Sequence, residues 1–183
     1  MGTKEEKAVV RAQMRGFRIS ESESAEASMI IRDALTALDC WKSAGTVLLF
    51  APLPDEPDTL VLPWEGKRFC FPRYHADRGY EAAKVVEPDE LAPGKFGVLE
   101  PPPEALQIPP GEVDLVLVPG MAFDEECYRL GRGRGFYDRW LLALPGLQLG
   151  LGFDHQLVNR VPRETHDVQL DGVIIPSRCL LPV

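Results

Sequence analysis

The chain has 183 residues, of which 45% are hydrophobic and 26% charged, and its formal net charge is −8. This composition supports a folded core and excludes an intrinsically disordered chain. The negative charge argues against general binding to nucleic acid, because the phosphate backbone requires a basic surface. The longest apolar runs are too short to span a bilayer. We therefore expect a single domain over residues 1–183, a monomer that binds small molecules and neither nucleic acid nor membrane.

The N-terminus and the cysteines indicate the cellular compartment. Residues 1–18 carry charges throughout and lack the apolar segment of a secretory signal peptide. The four cysteines are scattered and form no C-x-x-C pair, and a chain of this length does not need disulfides to fold. Both features predict a cytoplasmic protein.

Two helices are predicted at the start of the chain. Residues 4–18 form the first, because apolar side chains recur there at helical spacing. Basic side chains form a stripe on the same helix, either a solvated face or a ligand contact: Lys7, Arg11, Arg15 and Arg18. The second helix begins after Ser20, which forms a capping box with Glu23, and continues to about Cys40.

Short apolar runs and turns make up the rest of the chain. The runs predicted as strands are 46–50, 68–71, 84–87, 114–118, 147–153 and 172–175. A helical turn is predicted at 58–62, an extended surface loop at 92–111 and a helix from 135 to about 144. Strands that alternate with helices predict an α/β fold with a mostly parallel sheet covered on both faces. Ligands of such sheets bind beyond the carboxyl ends of the strands, where residues 119–134 follow strand 114–118.

Glycines and arginines alternate within that segment, just before the predicted helix. Glycine lets the backbone approach a phosphate, and successive N–H groups can converge into an anion cradle. Arg132 and Arg134 can supply forked hydrogen bonds to phosphate oxygens, and Asp138 is placed to hold Mg²⁺ against the same phosphates. The spacing matches neither the P-loop nor the Rossmann fingerprint. The residues alone leave open whether this is a phosphate site or an ordinary turn.

Two stretches resemble the signature of the 5-formyltetrahydrofolate cyclo-ligase family, also called methenyltetrahydrofolate synthetases. They are Asp114–Asp124, which reads DLVLVPGMAFD, and Tyr128–Arg139, which reads YRLGRGRGFYDR. Weaker matches extend from Lys7 to Asp171 and include residues 55–59, 71–73, 95–101 and 156–167. The resemblance therefore covers nearly the whole chain.

The resemblance implies a three-layer α/β/α fold related to phosphosugar isomerase and CoA-transferase folds. It also implies an ATP- and Mg²⁺-dependent enzyme that converts 5-formyltetrahydrofolate to 5,10-methenyltetrahydrofolate and releases ADP and phosphate. In the family's reaction the formyl oxygen is phosphorylated, and N10 of the folate then closes the ring. Two alternatives stay open, namely a non-catalytic nucleotide- or folate-binding relative and a phosphosugar- or CoA-handling protein of similar fold.

The resemblance also assigns roles to individual positions. Arg132 and Arg134 would face the reacting groups as catalytic residues, and Asp138 and Asp167 would serve Mg²⁺. The positions implied to contact ATP are Lys7, Arg11, Arg129, Gly131, Arg132, Gly133, Arg134, Gly135, Phe136 and Tyr137. Those implied to contact the folate are Ala51, Glu56, Arg132, Gly133, Arg134, Gly135 and Phe136. Without the family, Glu56 would be an ordinary acidic loop residue and Asp167 an ordinary turn residue.

Three positions depart from the family pattern. Phe136 stands where tyrosine is usual, so a hydroxyl is missing. Ala51 is smaller than the usual residue, and Gly172–Pro176 replaces a stretch in which threonine and glutamate are common. None of the three removes an expected ligand of ATP or of the metal.

Overall fold

The computed structural model describes residues 2–133 and 135–181, without the side chains of Phe96 and Phe136. The helices in this part of the chain are α1 (Thr3–Gly16), α2 (Glu21–Ala37), α3 (Asp39–Ser43) and α4 (Phe136–Leu141). The strands are β1 (Thr46–Leu48), β2 (Arg68–His75), β3 (Gly79–Val85), β4 (Ala92–Pro93), β5 (Leu99–Glu100), β6 (Gln107–Ile108), β7 (Leu115–Pro119), β8 (Ala122–Phe123), β9 (Arg129–Leu130), β10 (Leu147–Leu151), β11 (Gly172–Ile175) and β12 (Arg178–Leu180).

The main sheet has eight strands in the order β12-β11-β10-β7-β1-β2-β3-β6. Its centre, β11-β10-β7-β1-β2, is parallel throughout. Antiparallel strands extend both edges, β12 on one side and β3 with β6 on the other. The α/β fold with a mostly parallel sheet, predicted from the sequence, is confirmed.

Helices cover both faces of this sheet. Along β1, Val47 packs in one core cluster with Ile31 and Leu35 of α2. Its neighbour Leu48 packs in a second cluster with Leu141 of α4. Because successive side chains of a strand point to opposite faces, α2 and α4 lie on opposite sides of the sheet. The layers are therefore helix, sheet and helix.

Helix α1 lies apart from these two layers. Its apolar side chains Val10 and Met14 pack against Ala122 and Leu130 of the β8–β9 hairpin, in a small third cluster. The hairpin follows β7 directly, so α1 rests beside the carboxyl end of the central strands. This contact places the basic stripe of α1 near the segment that the sequence singled out.

The local predictions hold at most helix and strand positions. Ser20 accepts a hydrogen bond from the backbone N–H of Glu23, as the capping box requires, and β11 has the predicted bounds. The predicted helix after Gly135 ends earlier, at Leu141, and residues 142–144 continue as turns.

The middle of the chain contains the strands predicted at 68–71 and, in part, at 84–87, but it contains more strand than predicted. The short strands at 68–71 and 84–87 are parts of one long hairpin of β2 and β3, in which Tyr74 pairs with Tyr80. The stretch 92–111 is also more than a surface loop, because Ile108 is 1% exposed and β6 pairs with β3. Both differences have one cause. Polar side chains interrupt the apolar pattern on these strands, so the sequence does not show that they pair with strands distant in the chain.

No helix within residues 2–133 and 135–181 is both long and apolar enough to cross a membrane.

Candidate active site

The order of the parallel strands locates a crevice. In chain order the five central strands are β1, β2, β7, β10 and β11, and in space they run β2-β1-β7-β10-β11. The direction of the connections therefore reverses between β1 and β7. Ligands of open α/β sheets bind at such a switch point, outside the carboxyl ends of the strands. Phe50 and Ala51, after β1, and Gly120 and Met121, after β7, line a cavity of about 410 Å³ at this place.

This first cavity is mainly apolar. Its walls come from the ends of β1 and β7, from the β2–β3 hairpin, from the segment around β5 and from residues 129–138. The apolar lining residues are Phe50, Ala51, Leu53, Pro72, Val98, Pro119 and Met121. Polar and charged side chains also line it, namely Arg15, Glu56, Tyr80, Glu100, Arg129, Arg132, Tyr137 and Asp138. Such a lining suits a flat, largely apolar ligand that carries a few hydrogen-bonding groups.

Glu56 is the most deeply buried carboxylate of this cavity, at 6% exposure. One carboxylate oxygen accepts the backbone N–H of Leu53 at 3.1 Å, and the other accepts the Arg132 guanidinium at 2.9 Å. Burial raises the pKa of Glu56 above its ordinary value, against the opposing effect of Arg132. Glu56 is thus a hydrogen-bond acceptor in a fixed position within the apolar wall of the cavity.

Arg132 connects two loops that are distant in the sequence. Besides Glu56, its guanidinium pairs with Asp55 at 2.5 Å. Its own backbone belongs to the glycine-rich loop, which comprises residues 129–135. The ion pairs therefore bring that loop against residues 55–56, across the mouth of the first cavity.

A second cavity of about 290 Å³ adjoins the first. Basic residues of α1 form one side, namely Lys4, Lys7 and Arg11. Acidic and imidazole side chains form another, namely Asp138, Glu164, His166 and Asp167. The polar and charged lining contrasts with the apolar walls of the first cavity.

Lys7 is the central cation of the second cavity. Its ammonium donates to Asp167 at 2.6 Å and to Glu164 at 2.9 Å, and only 9% of its side chain is exposed. Burial works against the charge of Lys7, but the two hydrogen bonds outweigh it and raise its pKa. Burial likewise opposes the charge of Asp167, and the bonds from Lys7 and from the backbone N–H of Glu164 lower its pKa.

The glycine-rich loop forms the wall between the two cavities. Arg129, Gly131, Gly133 and Gly135 line both, as does Asp138 just after the loop. Gly133 has φ +98° and Gly135 has φ +63°, which L-residues with side chains rarely adopt. Glycine at these positions therefore allows the backbone conformation of the wall that the two cavities share.

Two arginines hold this wall in place. Arg11 of α1 donates through Nε to the carbonyl of Gly131 at 2.9 Å. Arg129, which is 6% exposed, pairs with Asp138 at 2.6 Å and donates to the carbonyl of Pro119 at 3.2 Å. The Nε of Arg129 is buried and has no hydrogen-bond partner among residues 2–133 and 135–181. The position of Asp138 is consequently set by a buried cation.

The second cavity has the donor set that a divalent cation needs. Ligand atoms of Glu164, His166 and Asp167 lie within 4.8 Å of one another. Asp138 lines the same cavity. Carboxylate oxygens are the ligands that Mg²⁺ prefers in proteins, so these residues fit that ion.

Comparison with known proteins gives the family. The chain matches the model of the 5-formyltetrahydrofolate cyclo-ligase family over residues 3–176. The chain belongs to this family. The resemblance carried by residues 114–124 and 128–139 is thereby confirmed.

Individual cyclo-ligases and a solved structure agree with this membership. The 5-formyltetrahydrofolate cyclo-ligase of Mycolicibacterium smegmatis is 34% identical over 147 residues, which cover 74% of this chain and 76% of the relative. The cyclo-ligase of Mus musculus is 27% identical over 178 residues, covering 85% of each. The NMR structure of Aquifex aeolicus 5,10-methenyltetrahydrofolate synthetase has a TM-score of 0.85 at 31% identity, covering 99% of this chain and 93% of that one.

The positions that cyclo-ligase resemblance assigned to ATP divide between the two cavities. Those that line the second cavity are Lys7, Arg11, Arg129, Gly131, Gly133 and Gly135. Arg132 and Tyr137 line the first cavity, as do the folate positions Ala51 and Glu56. Burial raises the pKa of Tyr137, so its hydroxyl stays protonated. Arg134 and the side chain of Phe136 lie outside the described residues.

Several residues that line the cavities were missed by the sequence analysis. Glu164 and His166 flank the assigned Asp167, and a search for ligand atoms around that residue would have found them. Tyr80 and Glu100 had no such signal, because they lie on β3 and on the short strand β5. The pairing of β3 beside β2 brings Tyr80 to the first cavity, and the carboxylate of Glu100 accepts the backbone N–H of Tyr74 on β2.

Proposed function

We propose that this protein converts 5-formyltetrahydrofolate to 5,10-methenyltetrahydrofolate, with ATP as the co-substrate that is cleaved to ADP and phosphate. The observation that carries the proposal is one glycine-rich loop shared by two cavities of opposite character. The folate would occupy the mainly apolar first cavity, and the triphosphate of ATP would occupy the charged second cavity, on the side that Lys4, Lys7 and Arg11 line. The reacting groups would then meet at the loop.

The first cavity fits a reduced folate in shape and in polarity. Its apolar walls can cover the two faces of a pterin ring, and the aromatic rings of Tyr80 and Tyr137 line the same space. The ring carries an N–H and an amino group side by side, and both are donors. The buried carboxylate of Glu56 offers a hydrogen-bond acceptor for these two donors inside the apolar wall. A buried carboxylate so placed recognises adjacent N–H donors well.

The second cavity fits a polyphosphate. Lys7 and Arg11 face it from α1, and the backbone of Gly131 and Gly133 faces it from the loop. Fixed cations and close backbone approach are what phosphate oxygens require. Because α4 has only six residues, the loop and the arginines would carry most of this binding.

We propose Asp138 and Asp167 as the carboxylates that would hold Mg²⁺, with Glu164 and His166 beside Asp167. Bound there, the ion would neutralise charge on the phosphates of ATP. Lys7 now neutralises Asp167 and Glu164, so it would share these carboxylates with the metal or move toward a phosphate.

The chemistry consists of two displacements. The formyl oxygen attacks the γ-phosphorus and ADP leaves, which turns a poor leaving group into an imidate phosphate. N10 then attacks the formyl carbon and loses its proton, and the C–O bond breaks as phosphate departs. The residues' task is positioning and charge neutralisation. Arg132 belongs to the loop and lines the first cavity, where it would meet the charge that develops on the transferred group. Arg134 is proposed for the same role.

An assay with purified protein tests the proposal. Protein, ATP, Mg²⁺ and 5-formyltetrahydrofolate should give the ultraviolet absorbance of the methenyl product, with one ADP formed per product molecule. Omission of either substrate should abolish both signals. Binding of both substrates without turnover would contradict the enzyme and favour a non-catalytic binding protein.

Other aspects of the protein stay proposals of the same kind. We propose a cytoplasmic monomer that consists of a single domain over residues 1–183. We also propose a relationship of its fold to phosphosugar isomerases and CoA-transferases. Size-exclusion chromatography with light scattering measures directly whether the protein is a monomer.

A further inference from the structure

A buried glutamine lies directly behind the first cavity without lining it. Gln156 follows β10 and is 3% exposed. Its Oε1 accepts the backbone N–H of Phe153 at 2.8 Å. Its Nε2 donates to the carbonyl of Gly120 at 3.1 Å and to the carbonyl of Asp55 at 3.3 Å. All three partners are backbone groups, so the amide has only one orientation that satisfies them.

The two carbonyls belong to segments on either side of the switch point. Gly120 follows β7 and lines the first cavity. Asp55 precedes Glu56, and its carboxylate pairs with Arg132. One side-chain amide thereby fixes the distance between the turn after β7 and the loop that carries the buried acceptor.

Close packing leaves this amide little freedom. A Cβ added to Gly152 would lie 3.1 Å from Oε1 of Gln156 and 2.8 Å from the ring of Phe123. A Cβ on Gly120 would lie 2.7 Å from the same ring. A side chain at Gly152 would therefore crowd both Phe123 and the Gln156 amide, which is itself almost fully buried.

We propose that Gln156 is a positioning residue for folate recognition, which sets the place of Glu56 relative to the turn after β7. This rests on the proposed function, in which the first cavity receives the folate. Gln156 does not line the second cavity, and none of the three residues whose backbone its amide contacts lines that cavity. Loss of the amide should weaken folate binding selectively.

The test is Gln156→Met, which keeps the length of the side chain and removes its hydrogen bonds. We expect the KM for 5-formyltetrahydrofolate to rise roughly ten-fold, with the KM for ATP within about two-fold of wild type. The dissociation constant of 5-formyltetrahydrofolate without ATP, measured by tryptophan fluorescence, should rise by a similar factor. Gln156→Glu keeps the acceptor for Phe153 and loses both donors at neutral pH, so it should show the same selectivity.

Gln148→Met is the matched control. Gln148 is also buried, at 8% exposure, and its Nε2 also donates to two backbone carbonyls, those of Leu141 and Leu144. It lies at the opposite end of β10. This variant should lower the Tm and leave both KM values unchanged.

The possible outcomes separate the positioning role of Gln156 from the proposed function. If both KM values rise together in Gln156→Met and in Gln156→Glu, or if only the Tm falls, the positioning role is wrong. If the wild type binds 5-formyltetrahydrofolate without turnover, the proposed function fails, and the dissociation constants still test Gln156. If the wild type does not bind the folate, both claims are overturned.

Discussion

At the scale of single residues, the cations of the site are held by acidic partners of the same site. Lys7 pairs with Asp167, Arg129 with Asp138, and Arg132 with Glu56. A charge-assisted hydrogen bond restrains the position of both groups. The side chains proposed for substrate and metal binding are therefore held in place by their neighbours in the structure.

Asp138→Asn tests the proposed metal carboxylate. We expect kcat to fall by roughly 100-fold, because the amide would hold less firmly the Mg²⁺ that would neutralise charge on the phosphates, with a smaller change in the KM for ATP. Asp154→Asn is the control, since Asp154 accepts hydrogen bonds from Ser177 and lines neither cavity. Steady-state kinetics at several Mg²⁺ concentrations decide the matter. Wild-type kcat in Asp138→Asn at limiting Mg²⁺ would show that the carboxylate has no such role.

Arg11→Ala tests the assignment of the triphosphate to the second cavity. Arg11 lines that cavity and supports the carbonyl of Gly131, so we expect the KM for ATP to rise roughly ten-fold. Arg15→Ala, one turn further along α1, should leave the KM for ATP unchanged because Arg15 is exposed and lines the first cavity. Equal effects of the two substitutions would contradict the division between the cavities.

At the scale of elements, the glycine-rich loop has a backbone shape that depends on glycine. Gly133→Ala places a side chain at φ +98°, with its Cβ 3.3 Å from the guanidinium of Arg11. Gly66→Ala imposes similar strain at φ +78°, with no atom within 4 Å of the Cβ. We expect both to destabilise the protein by about 1 kcal/mol or more. Only Gly133→Ala should also raise the KM for ATP.

Urea unfolding and ATP kinetics on the two glycine variants separate these effects. If Gly66→Ala raises the KM for ATP as much as Gly133→Ala does, the kinetic effect reflects general instability. If neither changes the KM, the loop does not contact the nucleotide.

Elements with strong local signals were predictable. The capping box at Ser20 and Glu23 fixed the start of α2, since the side-chain bonds form between residues three apart. The continuous apolar run of β7 predicted a buried strand. The long β2–β3 hairpin was not predictable, because its cross-strand pairs, such as Arg73 with Glu81, place charged residues inside a strand.

At the scale of the whole molecule, one ion pair joins the two ends of the chain. Lys7 lies 160 positions before Asp167, and their contact holds α1 on the second cavity. Lys7→Met should therefore lower the free energy of unfolding at neutral pH, by about 2 kcal/mol. Lys42→Met is the control, and it should change little because the Lys42–Asp39 pair is exposed.

The difference between wild type and Lys7→Met should depend on pH in a defined direction. The lowered pKa of Asp167 means that the stabilisation is present above 3.8, its ordinary pKa, and is lost as the pH falls through the lowered value. The raised pKa of Lys7 means that it is present below 10.5 and is lost as the pH rises through the raised value. Urea unfolding of both proteins across this pH range measures the difference in their free energies of unfolding. A difference that persists unchanged at low pH would show that the pair does not stabilise the fold.

The sequence by itself determined the α/β class, most helices and central strands, the family, and the loop at residues 129–138. These follow from apolar periodicity, capping and motif spacing, which are local along the chain. The tertiary structure alone decided which assigned residues share a cavity, because contacts such as Lys7 with Asp167 or Gln156 with Asp55 form between distant parts of the chain. The tertiary structure also showed that one motif lines two cavities. A loop that forms a shared wall has two faces, and the sequence does not specify which ligand contacts which face.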